Sequence, residues 1–197
     1  MKKKLVLLTL IFLFFSKLSF SQQRIESGEY ENGLKLQYNA QSNEITGYFE
    51  SYTGAGQFSC IFYIEWKVTG SKFKIKTYYP DDKKDDFIEG AIEIVNSKTV
   101  KIKLPEEHGG CWNVQHFADE AVTFELVQPK NWMQIRYVDT KKAYFYKAKF
   151  IAKKLQSYLV KADFVCIEKM ENEWVYCTYY GEKKTSGWIL EKDLNKM

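Results

Sequence analysis

The chain has 197 residues, of which 17% are aromatic and only three are Pro, and a formal net charge of +4. Lys2, Lys3, Lys4 and Lys17 supply that whole excess, so that beyond residue 21 there are 29 − 4 = 25 basic residues against 25 acidic ones. A neutral mature chain gives no basis for nucleic acid as a partner, and its length suits one large or two small domains.

Residues 1–21 carry the layout of a secretory signal: Lys2-Lys3-Lys4, an apolar run over residues 5–15, then Ser19-Phe20-Ser21. The apolar run falls well short of the ~20 residues that a helix needs to span a bilayer. No Cys follows it to accept a lipid, and no other stretch is long and apolar enough to cross. Cleavage after Ser21 is expected, with the mature protein periplasmic or secreted and without a stable membrane span.

Residues 22–128 read as short strands separated by Gly, Asn and Asp turns. The series starts at Gly28-Glu29-Tyr30 and Leu34-Lys35-Leu36-Gln37-Tyr38. It continues through runs at 45–50, 58–64, 73–78, 88–94, 100–104 and 122–126, several with apolar/polar alternation of period two. About eight antiparallel strands with no helix-period segment between them predict an all-β unit, a barrel or a sandwich. The pattern loosely resembles a lipocalin-like or calycin-like barrel.

Two loops in this unit look like ligand sites at first reading. Gly54-Ala55-Gly56 lacks the Lys-Ser/Thr ending and the helix of a phosphate loop, and reads as a hairpin turn. The four Asp of 81–86 offer oxygen ligands to a hard cation, but Lys83 and Lys84 sit among them and no Gly holds an EF-hand position, so a solvated loop is expected.

Both histidines of the chain lie in the stretch Glu106-Glu107-His108-Gly109-Gly110-Cys111-Trp112-Asn113-Val114-Gln115-His116. Gly-Gly-Cys-Trp is similar to the Cys-Trp of papain-like proteases, a family that needs a His far downstream, and none follows His116. A thiol hydrolase built on Cys111 and His116 is therefore an incomplete constellation. Zinc from His108, Cys111 and His116 has the right donor types at spacings unlike a structural finger. The expected pairing is Cys111 with Cys60, the other Cys of this half, in an exported chain with an even Cys count. No cofactor or metal is expected. If the loop recognises anything, His108, Trp112 and His116 are its contact residues.

Gln128-Pro129-Lys130-Asn131 marks the junction to a second unit, residues 129–197, with Trp132 a candidate to pack between the two. The halves differ in charge. Residues 22–128 hold 11 Lys/Arg and 17 Asp/Glu, net −6, whereas 129–197 hold 14 and 8, net +6. Either the units attract each other or they present opposite fields to outside partners.

The C-terminal stretch from Tyr158 to Leu194 is strand, polar tip at Glu171-Asn172-Glu173, aromatic strand Trp174 to Tyr180, turn at 181–184, and a short strand opening on Gly187-Trp188-Ile189. In this order (YLVKxD, xVxV, xxW, tSGWI, xxDL) the last 65 or so residues resemble the bacterial SH3-like domain, a small barrel of exported envelope proteins. The resemblance implies binding of a peptide, a peptidoglycan fragment or an envelope protein along an aromatic groove, for which Tyr144, Tyr146, Trp174, Tyr179 and Trp188 are the candidates. The NlpC-type peptidase that often accompanies this domain has an Asp-Cys-Ser-Gly nucleophile context, and this chain lacks it.

Cys166 and Cys177 flank the Glu171-Asn172 tip symmetrically, and a two-residue turn there sets them opposite each other, so a cross-strand disulfide is expected. A register with Val165 opposite Cys177 instead puts Val165, Ile167, Val175 and Cys177 on one core face and parts the sulfurs. The function expected is a non-enzymatic envelope binding protein, the alternative a periplasmic inhibitor that inserts the 106–116 loop into a wall-degrading enzyme.

Overall fold

Several strands of the first unit alternate apolar with polar side chains and can bury only one face, a demand that eight strands meet together by closing on one another. The computed structural model describes residues 24–80 and 86–196; the proposed leader and residues 81–85 lie outside them. β1 (Gly28–Tyr30), β2 (Leu34–Asn39), β3 (Glu44–Thr53), β4 (Phe58–Lys67), β5 (Lys72–Tyr78), β6 (Ile88–Asn96), β7 (Thr99–Lys103) and β8 (Val122–Pro129) form a closed antiparallel barrel. β1 closes it against β8, with Gly28 opposite Pro129 and Glu29 opposite Gln128.

The barrel interior is filled by Leu34, Leu36, Phe49, Phe62, Ile64, Ile75, Ile92, Ile102 and Phe124, all fully buried. Side chains occupy the place where a lipocalin holds its ligand. The outer faces of β5, β6 and β7 carry the complementary polar set: Lys72 and Lys101 both lie opposite Glu93, and Lys74 pairs with Glu89 at 2.5 Å.

One end of the barrel is capped by residues 105–118. Phe117 inserts among Phe49, Phe62 and Phe124 with ring centroids 5.0–6.1 Å away, and Cys111 is bonded to Cys60 of β4. Gly110 makes the close approach possible. Its φ is +85°, and a Cβ there would run into the Ser59 carbonyl, so a residue with a side chain could not bring the loop to β4.

β9 (Gln134–Tyr137), β10 (Lys142–Tyr146), β11 (Lys154–Val160), β12 (Phe164–Glu171), β13 (Trp174–Tyr180) and β14 (Lys184–Leu190) form a second, smaller antiparallel sheet in the order β11-β10-β14-β13-β12-β9. Its inner face gathers Ala143, Phe145, Leu159, Val165, Ile167, Val175, Cys177 and Ile189 into one core. The edge at β9 is covered by the chain's own C-terminal segment: Asn195 N donates to Tyr137 O (2.9 Å), Tyr137 N donates to Asn195 Oδ1 (3.0 Å), and Val138 bridges Leu194. Arg136, buried beside it, donates to Asn195 O and to Glu191 Oε1.

The expected Cys166–Cys177 disulfide does not form; both are free and buried. The turn sits one residue later than the symmetric reading requires, with Glu171 opposite Trp174, and a bulge between Ile167 and Lys169 then sets Ile167, not Cys166, opposite Cys177. Cys177 enters the inner core and Cys166 the opposite face. The core set Val165, Ile167, Val175 and Cys177 is thus the one the competing register demanded, reached through different pairs.

The two units meet on an aromatic layer. Tyr48, Tyr63 and Tyr78 on the barrel pack against Trp132, Ile135, Tyr137, Phe164 and Cys166. The Tyr63 hydroxyl donates to Ile135 O at 2.6 Å, and Ile135 N donates to Thr46 Oγ1 at 2.9 Å. Trp132 lies edge-on to Tyr180, with centroids 5.9 Å apart. Charge enters at the margin, where Lys130 pairs with Glu29 at 2.9 Å and Lys35 lies over the rings of Tyr48 and Tyr180. Among the described residues no helix is long and apolar enough to cross a membrane.

Candidate functional site

The outer face of the second sheet carries aromatic side chains on adjacent strands. Tyr176 of β13 is directly opposite Trp188 of β14, and Trp188 is directly opposite Tyr146 of β10. On β10 and β11, Tyr144 faces Tyr158. Cross-strand pairs of this kind stabilise a sheet, and here they tile one surface. Tyr176 and Trp188 meet edge to face at 5.4 Å, Tyr146 and Trp174 at 4.9 Å, and Tyr144 and Tyr158 are tilted at 5.5 Å.

Tyr146 and Trp174 are almost fully buried and act as the floor. Burial, with Asp193 and Tyr144 nearby, raises the Tyr146 phenol above its usual pKa, so it stays protonated. Tyr144, Tyr176 and Trp188 are half-buried and Tyr158 is exposed, so these four offer ring surface to a partner. A lysine ammonium stands over each of them: Lys154 is 3.4 Å from the Tyr144 centroid, Lys142 4.1 Å from Tyr158, Lys149 5.1 Å from Trp188 and Lys169 5.9 Å from Tyr176. Of these lysines, Lys149 is also paired with the Glu171 carboxylate. The result is a surface of mutually tilted rings with lysine ammoniums over them, able to pair with carboxylates through those lysines and to offer ring edges to apolar groups.

Of the five residues expected in the groove, four come together here: Tyr144, Tyr146, Trp174 and Trp188. Tyr179 does not. It is an odd number of residues from Trp174 along the same strand, so it points to the inner face and packs on the second unit's core. Burial and the neighbouring Asp163 raise its phenol pKa. Tyr176 and Tyr158 were missed in the sequence. Period two from Trp174 selects Tyr176 and rejects Tyr179, whereas Tyr158 needed the β10–β11 register, which is interrupted by a bulge.

The 106–116 loop divides its candidates between two sides. His108 turns inward, stacks on Phe62 at 4.8 Å and hydrogen-bonds through Nε2 to Thr77 Oγ1 at 2.8 Å. The single Thr77 hydroxyl proton goes to Ile88 O, which makes His108 Nε2 the donor. Burial lowers its pKa to about 4, against a small upward pull from Asp86, so the ring is neutral near pH 7. Trp112, by contrast, is 62% exposed and lies edge-on to His116, which sits 3.5 Å from Asp119. With its sulfur bonded to Cys60, Cys111 can be neither the nucleophile paired with His116 nor a zinc ligand. The described residues contain no cluster of three or more His, Cys, Asp or Glu able to hold a metal.

Three clefts are lined by residues outside the aromatic face. One of about 310 Å³ is lined by Tyr79, Asp86, Glu106, Glu107 and His108; another, of about 360 Å³, opens at the junction between Lys130, Trp132, Glu168 and Lys184. A third, about 470 Å³, is an open apolar depression beside Ile45 and Trp66. An open aromatic face suits an extended partner better than a small enclosed one. Compared with family models, curated proteins and solved structures, the chain finds no match, so the functional argument rests on the residues just described.

Proposed function

We propose that this is an exported, non-enzymatic binding protein of the cell envelope whose second unit is an SH3-like module that holds a peptide, wall fragment or protein partner. The observation that carries the reading is the aromatic face of Tyr176, Trp188, Tyr144 and Tyr158 on four strands, with Lys169, Lys149, Lys154 and Lys142 over its rings. Accessible rings with lysines lying over them suit a partner that is itself partly apolar and acidic. The leader-like N-terminus and the Cys60–Cys111 bond fit an oxidising compartment.

The test is co-sedimentation with purified wall material and with envelope proteins of the native host, comparing the native chain with Trp188→Ala/Tyr176→Ala. Loss of ~10-fold or more in affinity, roughly 1.4 kcal/mol, is expected for the pair. Unchanged binding with the fold intact defeats the reading. The inhibitor reading has its own support in Trp112, exposed on a turn pinned by the disulfide. It predicts that Trp112→Ala, and not the Trp188 variant, abolishes protection of a wall hydrolase.

A further inference from the structure

The two edges of the second sheet are treated differently. β9 is clasped by Leu194 and Asn195, while β11 pairs with β10 alone among the strands. β11 runs seven residues, Lys154–Val160, with six of them exposed. Leu155, Tyr158 and Val160 are 40–47% exposed, and Phe150 and Ile151 just before the strand about 60%. Proteins usually blunt such an edge with Pro, a short strand or an inward-pointing charge. β11 has no Pro, and its one core-facing buried side chain is Leu159.

The occupant follows from charge. Residues 141–161 contain seven Lys and no Asp or Glu. Two copies of β11 paired antiparallel would bring those lysines together, which disfavours self-association through this edge. An acidic strand meets the opposite situation. Lys142 and Lys154 already stand over Tyr158 and Tyr144 on the face where alternate side chains of an added strand would project. We infer that β11 is the docking edge for an extended acidic peptide, which adds as a seventh strand ahead of Val160, whose N and O are taken by Asp163, gives its carboxylates to Lys142 and Lys154 on the aromatic face, and turns its alternate apolar side chains to the opposite face of the sheet. This deepens the binding-module reading and rests on it, because the Tyr144–Tyr158 pair is the β11 end of the same aromatic face.

The probe is a short peptide of alternating Glu and Val, titrated into the processed chain while backbone amide exchange is followed. Saturable binding with slowed exchange in residues 154–159 is expected. Affinity should fall ~10-fold or more in Lys142→Glu/Lys154→Glu and on raising the salt. The same peptide N-methylated at alternate backbone nitrogens, which cannot complete a ladder, should not bind. Equal binding of the N-methylated peptide, equal binding of a Lys/Val peptide, no binding at all, or a dimer that already protects β11 without peptide would each overturn the inference. If Trp188 variants lose wall or envelope-protein binding while the peptide leaves β11 unprotected, the inference alone fails. If the peptide protects β11 but no envelope interaction responds to Trp188, the inference stands and the broader reading of the face fails.

Discussion

The rings of Tyr48 on the barrel and Phe164 on the second sheet lie parallel, with centroids 4.4 Å apart and 8° between planes. The two units are therefore joined by packed side chains, and the −6 and +6 of the halves act at most at the rim of that contact. Stacked aromatics buried from water are insensitive to ionic strength, whereas exposed charges more than ~8 Å apart are screened at physiological salt.

Phe164→Ala should lower the unfolding free energy by ~3–5 kcal/mol, the usual cost of emptying a buried phenylalanine site. Tyr63→Phe should cost ~1–3 kcal/mol, since it leaves the buried Ile135 carbonyl without its donor. Urea denaturation checks both, and the native chain should unfold in one transition whose midpoint barely moves between low and high salt.

Removing the staple with Cys60→Ala/Cys111→Ala should cost ~2–4 kcal/mol, because it frees a 51-residue separation in the unfolded chain. Peptide mapping without reductant should recover a Cys60–Cys111 cross-link and no other.

Cys166 and Cys177 should resist alkylation in the native state and react as two thiols in denaturant. Burial drives both thiols above their usual pKa and hides them from reagent. Rapid labelling under native conditions, or a thiol count of zero in denaturant, would contradict the register at the β12–β13 bulge.

Acid should weaken the barrel through His108. Its folded pKa, about 4, lies below the unfolded 6.5, so the unfolded chain takes up the proton first. This contribution is intact above pH 6.5 and lost as pH falls from there toward 4, with little further change from this group below. The loss is on the order of 2–3 kcal/mol after allowance for partial solvent access. Melting temperature measured from pH 7 to pH 4 should fall less in His108→Gln than in the native chain.

Most of the fold was legible in the sequence because period-two alternation and turn residues specify strands locally, and a barrel only requires that each strand bury one face. The strand runs at 34–38, 58–64 and 73–78 correspond to β2, β4 and β5 within a few residues. What alternation does not carry is which strands face each other. The bulge beside Ile167 changes the partner of Cys177, and the bulge in β10–β11 hides the pairing of Tyr144 with Tyr158. His108 stands among the loop's contact residues in the sequence because nothing about a His between Glu107 and Gly109 marks it as inward-facing. Its place on Phe62 depends on Gly110 letting the whole segment fold down over the barrel mouth.

The clasp between Asn195 and Tyr137 joins the last few described residues to the first strand of their unit. On a chain that emerges from a ribosome or a translocation pore from its N-terminus, the barrel is already there to take Ile135 of β9, but Tyr137 stays uncovered until Asn195 has followed. During that interval the β11 margin is open and the β9 margin only partly closed, so the nascent sheet is most exposed to misassembly until residue 195 is out. A bulky group fused directly after Asn195 would prolong it, whereas one attached ahead of the barrel would not.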